Sequence, residues 1–482
     1  MTIRISSRTD PDARPPGAWI ALAACLIAVF MQMLDLTVVH TAMPALARDL
    51  RAGSSAELLI VSVYGLAFAC TLPTAARIGD LLGRHTVFAG ALVAFAVASA
   101  WCGISTSATE LIFARGFAGI AAAMASAQTI AIITAAFPEQ ARATAFGVYG
   151  AVAGLAGMAG PTLGGVLVDA DPLGLGWRAV FLINIPLAGA AVAFAHGQRN
   201  IVAERTVKDS KRPGMPSRLD IKGAVLSAAG LGLLVYPLTS GHEKGWSPAV
   251  VLPLALSIPT LAMFVRSQRN EQARGREPLV RLELFADRGF AVGAVLTALF
   301  YGMFTALLFT VSVTAQSGLG WSASHTGLVM LPFAIGAVCG ALSSPILVSL
   351  WGSRALTVGI TVFAIALGAI ADTIHLYGPT LNLRELAWPV FAAGTGMGWF
   401  AAPLPALMLA GITDRATGSA SGLVPTVQQV GSALGVAALG AVFFAQATDH
   451  SYPVALTTVL WTMAGLSALM IVLTLALPRR RT

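Results

Sequence analysis

The chain has 482 residues, 56% of them hydrophobic and only 11% charged, with a formal net charge of +8. A soluble domain carries about 25% charged residues, so this composition excludes a water-soluble globular protein and makes lipid the solvent. All basic residues but Arg115 fall in or beside loops, with no aromatic-interleaved patch and no nucleic-acid motif. The charge therefore reports membrane topology, and no nucleic-acid partner is expected.

Residues 1–17 are basic and contain proline. The apolar run that follows is too long, and lacks a cleavage site, for a removed signal peptide, so it is read as a retained first span at 18–39. Its first seventeen residues carry no charge, and a spanning helix needs about 20 mostly apolar residues. Asp35 then interrupts it. An acid at mid-bilayer costs about 2.5–3.5 kcal/mol and normally faces a polar interior. Counted from Ala18 at about 1.5 Å per residue, Asp35 lies about 25 Å along, in the outer third. A hydrated acid near the helix end is the plainer alternative to a functional one.

Thirteen further apolar runs follow, at 57–76, 86–104, 108–134, 144–168, 178–196, 221–240, 249–266, 289–314, 325–350, 355–376, 385–410, 419–446 and 455–477. They are long, uniform and glycine-rich, with 49 glycines in the chain. Outer-membrane strands alternate in polarity over about ten residues, so these are helices. With the N-terminus in the cytoplasm, five of the 30 Lys and Arg residues fall outside (Arg48, Arg51, Arg178, Lys244, Arg384). Arg115 lies within a span, and the others are cytoplasmic, including the C-terminal run at 479–481. That asymmetry is the positive-inside pattern. Two long basic loops, 197–220 and 267–288, read as solvated linkers that anchor topology. Cys25, Cys70, Cys102 and Cys339 sit in apolar runs as small packing residues. Neither a disulfide framework nor metal-ligand spacing is visible, so no metal and no cofactor is expected.

The halves resemble each other. Gly83 and Gly352 end corresponding spans 269 residues apart. An Arg-Ala-Thr occurs at 142–144 and again at 415–417, and FARG at 113–116 answers FAAG at 391–394. Nearly constant offsets indicate an internal repeat. The expected architecture is all-α and polytopic: a cytoplasmic tail (1–17), a six-helix bundle (18–196), two inserted spans with their basic loops (197–288), a second six-helix bundle (289–477) and a basic tail (478–482). Carriers built from such repeats hold their site between the halves.

Four local patterns, and the count of fourteen spans, resemble the drug:proton antiporter family of the major facilitator superfamily. LDLTVVHTAMP (34–44) is similar to the first-span Asp-x-Thr signature, in which the acid handles protons or cations. ARIGDLLGRH (76–85) resembles the loop after span two; Asp80, Gly83 and Arg84 match, whereas Ala76 and Leu81 depart from it and thin its charge network. LIFARGFAG (111–119) carries the span-four Arg115, with Ala118 where a Gln is usual. GMAGPTLGG (157–165) resembles the fifth-span motif associated with exporters, through Gly160, Pro161, Gly164 and Gly165, with Gly157 ahead of them. WRAVFLINIP (177–186), opening span six, is a weaker likeness.

The resemblance implies a proton antiporter of the cell inner membrane, with both termini cytoplasmic, that exports amphipathic drugs or toxic metabolites by alternating access. Asp35 and Arg115 are expected at similar depth and to interact, directly or through water, so that their relative motion loads and releases a proton. A static buried pair or a snorkelling arginine is the alternative. Asp80, Gly83, Arg84 and Arg142 form an expected cytoplasmic latch, with Asp80 facing the start of span thirteen near 417–419. The span-five glycines allow close packing, and Pro161 removes a backbone donor and bends the helix. Gln32, Tyr64, Gln128, Tyr149, Tyr301, Phe304, Trp399, Gln428 and Gln429 are candidates to line the pathway, or else helix–helix glue. His40 either joins a proton relay or sits at the interface. A lone deep acid favours neutral or monocationic substrates. The expected partners are the substrate, protons and the bilayer, and the chain is expected to act as a monomer. An uptake symporter on the same fold, or a polytopic enzyme acting on lipid, are the competing functions.

Overall fold

The computed structural model describes residues 18–196, 220–276, 278–378, 381–412 and 414–475. The described residues form helices and turns without a strand, and fourteen helices are long and apolar enough to cross a membrane. We number them α1 (Ala18–Leu50), α2 (Ser54–Leu82), α3 (Arg84–Ile104), α4 (Ala108–Ala136), α5 (Glu139–Ala170), α6 (Gly176–His196), α7 (Ile221–Lys244), α8 (Pro248–Ala273), α9 (Arg288–Gly318), α10 (Ala323–Trp351), α11 (Arg354–Tyr377), α12 (Leu383–Leu409), α13 (Asp414–Asp449) and α14 (Tyr452–Leu475). The face where α1 starts is called proximal here, and the opposite face distal. The 197–219 loop and both chain tails lie outside the described residues.

All fourteen expected spans are present. The first is longer than its apolar run: α1 continues to Leu50, so that Asp35 stands near the middle of a 33-residue helix. Along the whole helix Asp35 is thus central, whereas along the shorter run at 18–39 it falls in the last third. Hydropathy drops after Val39, yet His40 and Thr41 are each only 1% exposed. Neighbouring helices bury that polar stretch, and the helix runs on.

Packing repeats with a shift of eight helices. α1 packs on α5, α2 on α4, and α3 on α4 and α6; α9 packs on α13, α10 on α12, and α11 on α12 and α14. Between these sets, α1 meets α9, α2 meets α13, and α5 meets α10. The last two contacts are interchanged by the same shift. The repeat first read from three short matches is thus a repeat of helix neighbours.

Close backbone approach is concentrated on α12. A Cβ on Gly394 or Gly398 would strike the carbonyls of Phe333 or Ala337 on α10, and one on Gly396 would strike the α11 backbone at Gly359 and Phe363. Gly336 and Gly340 of α10 return the contact at Phe391 and Thr395. In lipid, apolar surface gains nothing by leaving the solvent. Small residues that let backbones touch and gain dispersion contacts drive association instead.

The inserted helices lie at the periphery: only 22% of the most apolar stretch of α7 and 11% of that of α8 is buried. α7 packs on α8 and also on both α2 and α13. At the distal face, Ser54 Oγ meets His242 Nε2 at 2.8 Å and the Ser55 amide donates to Glu243 at 3.0 Å, so Glu243 caps the free N–H groups starting α2. The His242 ring stacks on Phe444 of α13, centroids 5.8 Å apart.

Gly398→Val is expected to destabilise the protein by about 1–3 kcal/mol through overpacking. Gly465→Ala, on an open face of α14, is expected to be neutral or slightly stabilising. Melting of the two purified variants in detergent, compared with the parent, checks both.

Candidate functional site

Asp35 and Arg115 are in contact. Arg115 enters α4 two turns from its distal end, and its Nη1 donates to Asp35 Oδ2 at 2.6 Å, with Asp35 1% and Arg115 0% exposed. The second carboxylate oxygen, Oδ1, accepts from Asn184 Nδ2 of α6 at 2.9 Å, and the same amide reaches Ser99 Oγ of α3 at 3.3 Å. Arg115 Nε donates to the Ile60 carbonyl of α2 at 3.4 Å. The guanidinium lies 4.3 Å over the Tyr64 ring and 5.7 Å from that of Phe181. Arg115 Nη2 and the Tyr64 hydroxyl have no protein partner among the described residues. Five of the first six helices thus converge on one carboxylate.

The energetics of this cluster are one-sided. Two charges taken out of water gain little net stability as a pair, whereas removing one partner costs about 3–5 kcal/mol by stranding the other. Stacking on Tyr64 adds about 0.5–2 kcal/mol to the hold on Arg115. Asn184 was quoted within the span-six pattern but given no role. A neutral amide in an apolar run carries a weaker signal than a charge; its place in the middle of a span was the available clue.

α1 also carries the contacts that close the distal face. A Cβ on Gly160 would strike Thr37, and one on Gly164 would strike Val38, so those two glycines seat α5 on α1 beside the acid. Gly165 packs against Ala323 of α10, and Gly327 packs on the Pro161 backbone. Gly157 faces open space, apart from the other motif glycines. Helix α5 continues through Pro161. Four hydrogen bonds cross between the two sets of six helices here. Ser324 N donates to Asp169 at 2.7 Å, Ser324 Oγ to the Gly165 carbonyl at 3.1 Å, Thr162 Oγ1 to the Gly327 carbonyl at 3.1 Å, and Gln316 Nε2 to the Thr41 carbonyl at 2.8 Å. His40 is enclosed with its ring 6.5 Å from that of Phe309. It is not an interfacial residue at a helix end.

The proximal face is open. A cavity of about 770 Å³ lies between the ends of α2, α4, α5 and α13 and the segment 278–284. Asp80 and Arg84 border it and pair with each other, Arg84 Nε and Nη2 donating to Asp80 Oδ1 at 3.1 and 3.0 Å. Gly83, at φ 91°, makes the tight corner between α2 and α3. Arg142 does not join this pair: its Nε donates to the carbonyls of Thr134 and Phe137, closing the end of α4. A local capping demand wins over a distant acid. The side chains at 417–419, where Asp80 was expected to point, lie outside those described.

The expected pathway residues do not line this cavity. Tyr64 is under Arg115. Gln32 and Gln429 are each 5% exposed within the helix packing. Gln128 donates to the Ala75 carbonyl at 2.8 Å across α2 and α4. Trp399 donates to Ser343 Oγ at 2.8 Å, the Tyr301 carbonyl accepts from Ser432, and Phe304 stacks on Phe333. Gln428 is half-buried. Tyr149 is half-buried on α5. These are mostly links between helices, and their residue types alone carry no information on depth.

Comparison with known proteins matches residues 25–436 to the family model of the Major Facilitator Superfamily. Among curated proteins, the chain is 34% identical over 433 residues to a probable actinorhodin transporter of Streptomyces coelicolor, covering 89% of this chain and 73% of that one. It is 32% identical to the cephamycin export protein CmcT of Amycolatopsis lactamdurans, covering 91% and 87%. It is 30% identical to the multidrug resistance protein Stp of Mycobacterium tuberculosis, covering 88% and 76%. Among solved structures, the human organic anion transporter MFSD10 (TETRAN) aligns with a TM-score of 0.62 at 16% identity, covering 95% of this chain and all of that one. The nucleoside transporter NupG aligns at 0.61 and 13%. At such identities the structures speak for the fold, and the curated relatives for the branch. With fourteen spans, an internal repeat and a cavity open to one face, the chain belongs to the Major Facilitator Superfamily as a multi-pass membrane transporter of small molecules.

Proposed function

We propose that this transporter is a proton antiporter that exports amphipathic small molecules, drugs or toxic metabolites, from the cytoplasm by alternating access. The observation that carries this reading is the sealed carboxylate. Asp35 accepts from Arg115 on one oxygen and from Asn184 on the other. A proton and the Arg115 guanidinium compete to neutralise this one buried carboxylate. Protonation and movement of α1 against α4 and α6 are then one event. Relatives named for export or multidrug resistance support the direction and the class of cargo.

In this reading the chain sits in the inner membrane with both termini and the proximal face cytoplasmic, following loop charge. The working parts are two six-helix bundles, 18–196 and 289–477, flanking the inserted pair, and the functional unit is one chain. The open cavity and the crossed distal hydrogen bonds then describe an inward-facing state. Releasing the Asp35–Arg115 pair frees α1, which carries Thr37 and Val38 under α5 and Thr41 under Gln316, so the distal closure loosens. The corner of Asp80, Gly83 and Arg84 latches the opposite, outward-facing state. Its exposed ion pair is worth at most about 1 kcal/mol as it stands, as suits a latch that is undone.

Asp35→Asn is expected to abolish substrate movement driven by an imposed pH gradient in inverted vesicles while retaining substrate binding. Full gradient-driven transport by that variant would remove Asp35 from coupling. Asn184→Ala is expected to slow gradient-driven transport several-fold in a folded protein, because Asp35 Oδ1 and Ser99 lose the amide that ties α6 to α1 and α3. An unchanged transport rate would leave Asn184 a packing residue. Joining positions 169 and 324 with a short bis-maleimide, in a D169C/S324C protein lacking the four native cysteines, is expected to stop transport with binding from the cytoplasmic side intact. Unimpaired turnover after complete cross-linking would show that the distal closure never opens.

A further inference from the structure

We infer that the first turns of α10, residues 323–329, are a gate that folds about Met330 into an apolar cavity of the second bundle. The distal face then opens by this movement and not by rotation of whole bundles alone. The inference rests on the alternating-access reading and names a part that moves.

The helix is interrupted at the pivot. Regular α-helix runs over Ala323–Val329 and again over Leu331–Trp351. Pro332 has no amide to offer the Leu328 carbonyl. The Met330 amide donates to the Gly327 carbonyl at 3.2 Å, one residue short of its α-helical partner. A break of this kind is where a helix bends. The short segment ahead of it belongs by contact to the opposite half. It packs on α5 more than on any helix of its own bundle. Ser324 is bonded to Asp169 and to the Gly165 carbonyl, and the Gly327 carbonyl accepts from Thr162.

Behind the segment its own bundle is incompletely filled. A cavity of about 40 Å³ is lined by Trp321 and Met330 from the two ends of the segment. Leu307, Ile370, Val390 and Leu456 line it from α9, α11, α12 and α14, and no residue of α5 does. Its surface is apolar, because the hydroxyl of the lining residue Thr314 is turned to the Tyr452 carbonyl at 3.5 Å. An apolar cavity of this kind excludes water, so side chains that enter it displace none. Packed interiors leave few voids, and the atoms that face one forfeit dispersion contacts. A segment leaving α5 regains contacts of that kind by folding into the cavity, which offsets part of what the parting costs. The weak point of α10, its attachment to the other half and the room behind it thus coincide.

The test measures distances between spin labels on the full-length protein lacking the four native cysteines, with Asp35 intact and with Asp35→Asn standing for the protonated acid. The pair V166C/L376C joins α5 to the distal end of α11 and reports parting of the halves. The pair H325C/L376C lies within the second bundle and reports the gate; all three positions are exposed. With Asp35→Asn the first distance is expected to lengthen. The second is expected to gain a population shortened by about 3–5 Å, as a segment about 10 Å long swings about its end. Val390→Phe, which fills the cavity from α12, is expected to cut that shortened population several-fold, and the smaller filling Val390→Leu to cut it less. Melting temperatures confirm that the variants are folded. A lengthened first distance with the second unchanged overturns the gate and leaves alternating access standing. A shortened population undiminished in either folded filling variant overturns the gate as well. If neither distance responds to Asp35→Asn, the coupling reading fails and takes the gate with it.

Discussion

A carboxylate with both oxygens filled, enclosed by five helices, is the constraint on which the first half of the molecule depends. Arg115 is tolerable at its depth because Asp35 meets it at 2.6 Å and Tyr64 lies beneath it. Asp35 is tolerable because Arg115 and Asn184 divide its oxygens between them. Neither charge is stable there alone, so the positions of α1, α4 and α6 are set together. Such a cluster contributes little to stability relative to an apolar core of equal volume. In the proposed antiport cycle its value lies in a second, parted arrangement that differs from this one by a proton.

Helix α1 is the element through which that choice is felt elsewhere. Thr37 and Val38, within one turn of Asp35, receive Gly160 and Gly164 of α5. Thr41 accepts Gln316 from the other half. Packed interfaces without Cβ atoms between them shift as units rather than yield gradually, so a small displacement of α1 is passed to α5 and then to α10. The glycines of the fifth span act in this account as a bearing surface between three helices.

Much of the plan was legible in the residues. Every span shows in hydropathy because lipid imposes a length and a composition on each. The acid and the arginine show because a charge in an apolar run is costly. The extension of α1 from 39 to 50 did not show, since buried polar residues such as His40 mimic a helix end until the neighbouring helices are known. Asn184 did not show because an amide is cheap enough to pass as glue. Arg142 was read as a long-range partner of Asp80, and instead caps its own corner. The pathway glutamines and aromatics lie away from the proximal cavity for a common reason: a sequence carries spacing along a helix but not the direction in which each face looks.

The peripheral placement of α7 breaks the symmetry that the repeat would otherwise impose. The two seams between the halves, α2 with α13 and α5 with α10, are equivalent under the eight-helix shift, yet α7 packs on both helices of the first. The inserted pair thus gives the fourteen-helix carrier two unlike flanks towards lipid.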